Sequence, residues 1–170
     1  ISVGELSVSK EIDEAGNVIY EASTDVRYRI FSATHLEYNY KAVFSNDELI
    51  EAIFVHYKDA VKREFASLER SGRGYQTKLN GKKSRIQAVY ITSMTQLYFH
   101  EPIKTNPIFS ERYHDMVDVE KLEGDQNYLM RTPTGDKNYY EYNEEGLCSK
   151  ITVNMPLLKF EIELVNTALN

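Results

Sequence analysis

The sequence predicts one mainly β domain covering residues 1–170: an antiparallel meander that curls into a half-barrel or barrel, with one short helix near residues 91–100. Three observations predict this class. Turn-forming residues recur roughly every 8–14 residues, as consecutive antiparallel strands require. Apolar and polar residues alternate between the turns, which is the period of a half-buried strand. The 170 residues also include 13 tyrosines and seven phenylalanines, and strands favour both types.

The predicted strands are bounded by turn signals rich in Gly, Asn and Asp. These signals occupy residues 13–17, 45–47, 58–59, 71–74, 80–81, 123–125, 133–136 and 143–146. Alternation between them is clearest over residues 6–12, 20–30, 36–44, 139–142 and 160–164. Asn80-Gly81 is the strongest hairpin signal, because this pair readily adopts the positive φ that two-residue hairpin turns need. Most of the chain is therefore expected to form strands.

The stretch from Ser45 to Glu69 fits two patterns. With a helical period, one stripe holds Leu49, Ile53, Tyr57, Val61, Phe65 and Leu68. With a period of two, the same stretch forms two strands joined by a turn near Lys58-Asp59. A helix of this length would interrupt a series of strands, whereas a hairpin continues the series. We therefore predict a hairpin.

The short helix is predicted from a second, briefer pattern. The residues at helical spacing are Ile91, Met94, Leu97 and Tyr98. Pro102 follows and ends the helix, because proline cannot continue one. The stretch from Glu101 to Val117 contains two prolines and no sustained period, so we expect an extended loop there.

Composition limits the classes of partner. The formal net charge is −6, which argues against general nucleic-acid binding. The charge is uneven, since residues 58–85 contain nine Lys and Arg against three Asp and Glu. No apolar run reaches the ~20 residues of a membrane-spanning helix, so no transmembrane segment is predicted.

Two features concern the compartment. The single cysteine, Cys148, cannot form an intramolecular disulfide, and we expect it in the core. The chain begins at Ile1 rather than at methionine. Such a start fits either an exported protein whose signal peptide has been removed or a chain that has been trimmed, and we favour export and expect a periplasmic or secreted location.

Several strings in the chain carry a resemblance: VGELSVSK, LYFHEP at 97–102, IFSE at 108–111, NYYEYNEEGLCSKI and LLKFEIEL. The chain resembles a family of small bacterial exported proteins, found largely in Bacteroidetes-type sequences, that carry a domain of unknown function. More distantly, it resembles the curved antiparallel sheets of periplasmic lipoprotein carriers. The resemblance implies a fold and no chemistry. Its landmark residues are Leu97, Tyr98, Phe99, Glu101, Pro102, Phe109, Ser110 and Glu111.

Candidate catalytic and metal-binding residues lie between residues 100 and 115. They are His100, Glu101, Glu111, His114 and Asp115, whose imidazole and carboxylate groups suit zinc or an acid–base pair. Their spacing is unlike that of motifs such as HExxH, and Ser110 lacks the glycines of a nucleophile elbow. We predict no metal, no cofactor and no catalytic residue. Glu101 and Glu111 are expected to accept hydrogen bonds from loop amides.

Aromatic residues at alternating strand positions are the most informative feature. They are too numerous for the core of a flat two-layer sheet, so they predict a concave face. Such a face either packs on a helix or encloses an apolar ligand. The residues predicted to bind the ligand are Tyr28, Tyr38, Tyr40, Tyr57, Tyr98 and Tyr142.

The expected function is therefore binding without catalysis. We expect a cell-envelope protein that holds a hydrophobic or amphipathic molecule, such as a lipid or an acyl chain, on the concave face. The alternative is a structural or protein-interaction module of the envelope without a small-molecule ligand. An enzyme built around Glu101, Glu111, His100 and His114 is the third hypothesis, and it has the least support because no nucleophile, metal or cofactor motif is present.

Overall fold

The computed structural model of the protein describes residues 3–29, 31–103, 107–155 and 158–165. The chain is mainly β and forms two antiparallel sheets. No closed barrel is present in the part of the chain that is described. The chain divides into two compact units, residues 1–95 with 109–115, and residues 96–108 with 116–170.

The first sheet has seven strands that follow one another in chain order. They are β1 Gly4–Ile12, β2 Val18–Arg29, β3 Ala33–Ser45, β4 Glu48–Lys58, β5 Val61–Ser71, β6 Gly74–Leu79 and β7 Lys82–Ile86. Each strand pairs antiparallel with its successor. The predicted meander is confirmed for this sheet, which contains the longest strands of the protein.

The second sheet has six strands and is also a meander. Its strands are β8 Ile108–Ser110, β9 Asp115–Lys121, β10 Asn127–Arg131, β11 Lys137–Tyr142, β12 Cys148–Met155 and β13 Leu158–Glu163. Tyr128 of β10 pairs with Tyr140 of β11, and Tyr140 pairs in turn with Ile151 of β12. All three side chains are buried, so this row lies in the core of the second unit.

The hairpin predicted within residues 45–69 is confirmed. Lys58 pairs with Val61, and the turn between them consists of Asp59 and Ala60, with φ values of 52° and 61°. Positive φ at both central positions is the signature of a type I′ turn. The preceding turn, at Asn46 and Asp47, has the same signature with φ of 48° and 62°. Neither turn contains glycine, and three of the four central positions are Asn or Asp, which tolerate left-handed backbone best among the other residues.

Side-chain acceptors hold two of these turns in place. The backbone N–H of Asp59 donates to the carbonyl of His35 (2.9 Å), and Asp59 Oδ1 accepts from the N–H of His35 (2.9 Å). Asn80 makes the same reciprocal pair with Phe65, at 2.8 and 2.9 Å. Each turn therefore extends the ladder of the preceding strand by one residue.

Tyr75 anchors the segment that leaves the first sheet. Its side chain is 0% exposed, and its hydroxyl donates to the carbonyl of Leu49 (2.9 Å) while accepting from the N–H of Tyr90 (3.0 Å). The N–H of Leu49 in turn donates to the carbonyl of Tyr90 (2.8 Å). These three residues tie the chain beyond β7 to the start of β4.

The helix predicted near residues 91–100 is a single short 3₁₀ helix, Met94–Tyr98. Ile91, expected on its apolar stripe, precedes the helix and is 65% exposed. No helix in the described ranges is long and apolar enough to cross a membrane.

The loop predicted from Glu101 to Val117 needs a correction. This stretch contains strand β8, whose three residues are all buried, and the start of β9 at Asp115. Proline excludes a helix here but not a strand that begins after it. A three-residue strand is too short to show alternation, which explains why the pattern was missed. Residues 104–106 lie outside the described residues.

Candidate functional site

The strand register of the first unit defines one aromatic face. Paired residues on adjacent antiparallel strands share a face of the sheet. Tyr40 pairs with Ala22 and with Phe54, and Ala22 pairs with Val8. Tyr38 lies in the next row of the same face, between Thr24 and His56. We call the face that carries these two rows the aromatic face.

Arg112 lies on this face although it belongs to the turn after β8. Its Nε donates to Glu64 Oε2 (2.8 Å) and its Nη2 donates to Glu64 Oε1 (2.6 Å). This two-point geometry is the strong form of an arginine–carboxylate pair. The two side chains are 28% and 29% exposed, so the pair is largely, but not fully, removed from water.

Aromatic rings surround the guanidinium of Arg112. Its central carbon lies 5.5 Å from the ring centre of Phe54, 5.9 Å from that of Tyr38 and 5.0 Å from that of Tyr113. Distances below about 6 Å allow a cation–π attraction. The cation–π attraction of these rings therefore adds to the ion pair with Glu64 in fixing the position of the arginine.

His56 is the third polar residue of the site, beside Arg112 and Glu64. The residue is 9% exposed, and its ring stacks on Tyr38 with ring centres 4.4 Å apart and an interplanar angle of 6°. Its Nδ1 lies 3.1 Å from Glu64 Oε1. Its Nε2 is buried and has no hydrogen-bond partner in the described ranges. Glu64 thus joins Arg112 and His56 within an otherwise aromatic environment.

The electrostatics of the site favour a charged pair. Burial opposes the charge of Glu64, but hydrogen bonds from Arg112 and then from His56 outweigh burial and lower the pKa of Glu64. Burial likewise disfavours the charged Arg112, yet its hydrogen bonds to Glu64 leave the arginine pKa raised. Burial raises the pKa of the Tyr38 phenol, so this hydroxyl stays protonated. Both charges persist throughout the neutral range.

The aromatic face is only partly covered towards β1. Tyr28, Tyr38 and Tyr40 are half-buried, in contrast to the fully buried Phe54. Val8, on the edge strand, is 37% exposed on the same face. This leaves a strip of apolar and tyrosine side chains that runs across β1, β2 and β3 towards Arg112.

The six tyrosines predicted to bind a ligand do not all belong to one face of one sheet. Tyr28, Tyr38 and Tyr40 share the aromatic face, since Tyr28 follows the same alternation on β2. Tyr57 pairs with Glu37, one position out of step with Tyr38, so it lies on the opposite face of the sheet. Its assignment to the same face was wrong. Tyr98 and Tyr142 belong to the second unit.

Tyr142 has a structural role in the second unit. It is 6% exposed, its hydroxyl donates to the carbonyl of Leu97 (2.8 Å), and its ring meets Tyr128 edge-on at 5.6 Å. The Tyr128 hydroxyl donates to Glu101 Oε1 (2.7 Å). Burial, followed by this hydrogen bond, raises the pKa of Tyr128 to about 12. Glu101 therefore accepts from a phenol and, at 3.5 Å, from the side-chain amide of Gln126, rather than from the loop backbone amides that were expected.

Glu111 is the most deeply buried acid. The residue is 0% exposed, and Oε1 accepts from the Thr95 N–H (3.0 Å) and from the Thr95 hydroxyl. Its Oε2 has no hydrogen-bond partner among the described residues. Glu111 was predicted to accept from loop amides, and it does accept from a backbone amide, but this amide belongs to the 3₁₀ helix. Its neighbour Ser110 is also 0% exposed, so it is not placed as a nucleophile.

Most landmark residues of the resembled family are core or turn residues here. Phe109 is 0% exposed and stacks on Tyr90, with ring centres 4.2 Å apart. Leu97 is 2% exposed. Cys148, expected in the core, is half-buried, and burial raises the pKa of its thiol to about 12. Leu97 and Phe109 thus contribute to packing.

A possible metal-ligand group lies elsewhere. The ligand atoms of Asp25, His35 and Glu37 lie within 4.8 Å of one another, on the face of the first sheet opposite the aromatic face. His35 Nε2 is 3.1 Å from Asp25, and Arg27 also pairs with Asp25 at 3.2 Å. The contact with His35, ahead of the charge on Arg27, lowers the pKa of Asp25. An arginine and an imidazole therefore already lie against this carboxylate.

An open depression of about 430 Å³ lies on the second sheet. Its lining includes Tyr139, Thr152, Asn154 and Lys159, and it contains none of the six predicted ligand residues. The lining mixes charged, amide and aromatic groups without convergent pairs, so this depression defines no chemistry.

Sequence reasoning missed Arg112, Glu64 and His56. Glu64 and His56 sit on paired strand positions, so a correct hairpin register places them side by side. Arg112 lies 48 residues from Glu64 in a turn without periodicity, and no local signal connects them.

Comparison with known proteins gives a family and nothing more specific. The sequence matches the model of a family described as Domain of unknown function (DUF6134), over residues 1–165. No curated protein and no solved structure matches the chain. The match confirms the resemblance to a domain of unknown function, and it covers nearly the whole length of the chain.

Proposed function

We propose that this chain, which belongs to the DUF6134 family, is a non-catalytic binding protein that holds a hydrophobic or amphipathic molecule, such as a lipid or an acyl chain, on the aromatic face of its first sheet. We further propose that this face is the concave side of a half-barrel and that the protein works in the cell envelope.

One observation carries the proposal. The aromatic face is fully buried around Phe54 but only half-buried at Tyr28, Tyr38 and Tyr40, so apolar and tyrosine surface continues outward from the core. Covering such surface with an acyl chain removes apolar area from water, which is favourable by roughly 25 cal/mol per Å². Tyrosine hydroxyls at the margin leave the polar end of a ligand hydrated.

The test uses a fluorescent fatty acid whose emission changes in an apolar environment. Binding is expected for the unaltered protein, with displacement by unlabelled lipid. Tyr40→Glu places a charge in the middle of the strip and should abolish binding without changing the circular dichroism spectrum. Tyr57→Glu is the matched control, since Tyr57 is also half-buried but lies on the opposite face.

Equal binding by both variants would show that the ligand does not use this face. Mass spectrometry of an organic extract of the purified protein gives an independent check, since a lipid carrier is expected to retain some lipid. Absence of binding and of any extracted lipid would contradict the proposal.

A second candidate, a protein-interaction module, is favoured by the charge of the sheet edge. Lys83 and Arg85 of the edge strand β7 lie beside Lys78 of β6 on the face opposite the aromatic face. All three are exposed. An acidic partner is the one this surface fits, and salt-sensitive binding of an acidic peptide that is lost in Lys83→Glu but kept in Tyr40→Glu would support this function instead.

A further inference from the structure

We propose that Arg112 binds the head group of the ligand, and that the ligand is a single-chain amphiphile with a carboxylate head. This inference rests on the function proposed above. It assigns a class of ligand to the aromatic face, and it gives a role to Arg112, which no sequence pattern singles out.

The first step is the count of hydrogen-bond donors on Arg112. A guanidinium has five N–H groups in a planar fork. Glu64 takes the Nε–H and one Nη2–H. Nη1 donates no hydrogen bond to any residue in the described part of the chain, and the side chain remains 28% exposed. Arg112 is thus held rigidly along one edge while N–H groups on the other edge remain for a ligand.

The second step is the kind of acceptor that fits these N–H groups. Arginine binds carboxylates with planar, charge-assisted hydrogen bonds, which are stronger than those between neutral groups. The Tyr113 and Tyr40 hydroxyls lie near enough to Arg112 to interact with it electrostatically. The rings of Phe54, Tyr38 and Tyr113 lie against the guanidinium, so a carboxylate bound at Nη1 would have an apolar surface directly beside it.

The third step is the direction of the tail. From Phe54, beside Arg112, the paired residues Tyr40, Ala22 and Val8 follow in order across β3, β2 and β1. Neighbouring strands are about 4.8 Å apart, so this row extends about 14 Å. No charged side chain occurs in the row, and its far end, Val8, is exposed. The head of an amphiphile at Arg112 would leave its chain lying along this row.

The experiment compares two ligands that differ only at the head, decanoate and decan-1-ol, by isothermal titration calorimetry. The unaltered protein should bind decanoate about tenfold or more tightly than the alcohol, as a charge-assisted hydrogen bond requires. Arg112→Gln combined with Glu64→Gln removes both charges together and should bind the two ligands alike. Arg85→Gln is the control, because it removes one arginine charge from the opposite face and should keep the preference.

Three results distinguish the possible failures. If the protein binds decanoate and decanol equally, or the double variant keeps the preference, the Arg112 anchor is wrong while the proposed function stands. If decyl phosphate binds more tightly than decanoate, the carboxylate class is wrong. If no ligand binds, the proposed function fails and the inference with it. Should the double variant not fold, Arg112→Lys takes its place, since a lysine keeps the charge but loses the planar fork and should lose most of the preference.

Discussion

Glu64 contacts both the guanidinium of Arg112 and the imidazole of His56. Its negative charge explains why the guanidinium can lie against aromatic rings. Taking Arg112 out of water costs free energy, which the two hydrogen bonds to Glu64 offset. At the residue scale, the site therefore depends on one acid.

The first prediction concerns Glu64 and pH. Replacement by Gln should cost about 1–3 kcal/mol of unfolding free energy at pH 7, because Arg112 loses its charged acceptor. The pKa of Glu64 is lowered from an ordinary value of 4.5, so its stabilising effect is complete above about pH 4.5 and is lost as the pH falls towards the lowered value. The difference between the two proteins should shrink over that acid range.

Urea denaturation at several pH values measures this difference. Glu69→Gln is the matched control, since Glu69 lies on the same strand but is exposed. A difference between unaltered protein and Glu64→Gln that stays constant from pH 7 to pH 3 would show that the charge of Glu64 does not stabilise the fold.

The second prediction concerns Glu111. Glu111→Gln keeps the Oε1 atom that accepts both hydrogen bonds from Thr95 and changes only Oε2, which has no partner in the described residues, so the fold should survive. Glu111→Ala removes both hydrogen bonds and leaves a cavity, which should cost about 2 kcal/mol or more. Thermal unfolding measures both. Turnover in a hydrolase screen that disappears in the folded Glu111→Gln variant would instead assign this acid to catalysis.

At the scale of elements, the turns explain why the hairpin pattern prevailed over the helical one. The stretch around β4 and β5 carries both periods, and the choice came from the regular spacing of turns on either side. Asp59 then supplies what the sequence could only indicate: a left-handed residue whose carboxylate and N–H both pair with His35. The conformational preference of Asp59 and the pairing of β4 with β3 therefore both favour this turn.

The third prediction concerns the equivalent turn at Asn80, which has φ of 48°. Asn80→Gly keeps the left-handed backbone but loses the side-chain acceptor for the Phe65 N–H, which should cost about 0.5–1.5 kcal/mol. Asn80→Ala loses the acceptor and adds left-handed strain of about 1–2 kcal/mol. The expected order of stability in urea is Asn, Gly, Ala. An alanine variant as stable as the glycine variant would show that the backbone strain is relieved elsewhere.

The basic residues of β7 have a plain structural explanation beside the binding one. β7 is an edge of the seven-stranded sheet, and its sequence begins Lys82-Lys83. Charged side chains on an edge strand discourage pairing with the edges of other molecules. The last residues of the positive stretch, 82–85, therefore lie on an edge of the sheet.

The sequence predicts the strands far better than it predicts the site. Alternation and turn signals depend on residues close in the chain, and these located the meander correctly. Tyr57 was assigned to the wrong face because alternation within β4 alone does not tell which residue of β3 it meets. Arg112 was missed because it lies 48 residues from its partner Glu64 in the sequence, and the two meet only in the folded protein. Short elements such as β8 fail for the same reason, since buried neighbours rather than a period define them.

At the scale of the whole molecule, the chain passes between its two compact units at residues 95–96, 108–109 and 115–116. The short excursion 109–115 belongs to the first unit, where Arg112 bonds to Glu64 and Glu111 bonds to Thr95. Both ends of this excursion continue directly into residues of the second unit. The second unit is therefore built from two chain segments, 96–108 and 116–170, and the residues that connect them belong to the first unit.

The fourth prediction is that the two units unfold together, as one domain covering residues 1–170 would. Loss of the first unit frees residues 109–115 and converts a short closed connection of the second unit into a long flexible one, which carries an entropic cost. Hydrogen exchange followed by mass spectrometry at increasing urea should show peptides from β3 and β4 losing protection at the same urea concentration as peptides from β10 and β11. In calorimetry, the van't Hoff and calorimetric enthalpies should agree. Two separate urea midpoints, with one set of strands still protected after the other is lost, would mean that the units are independent domains and that the one-domain prediction is wrong.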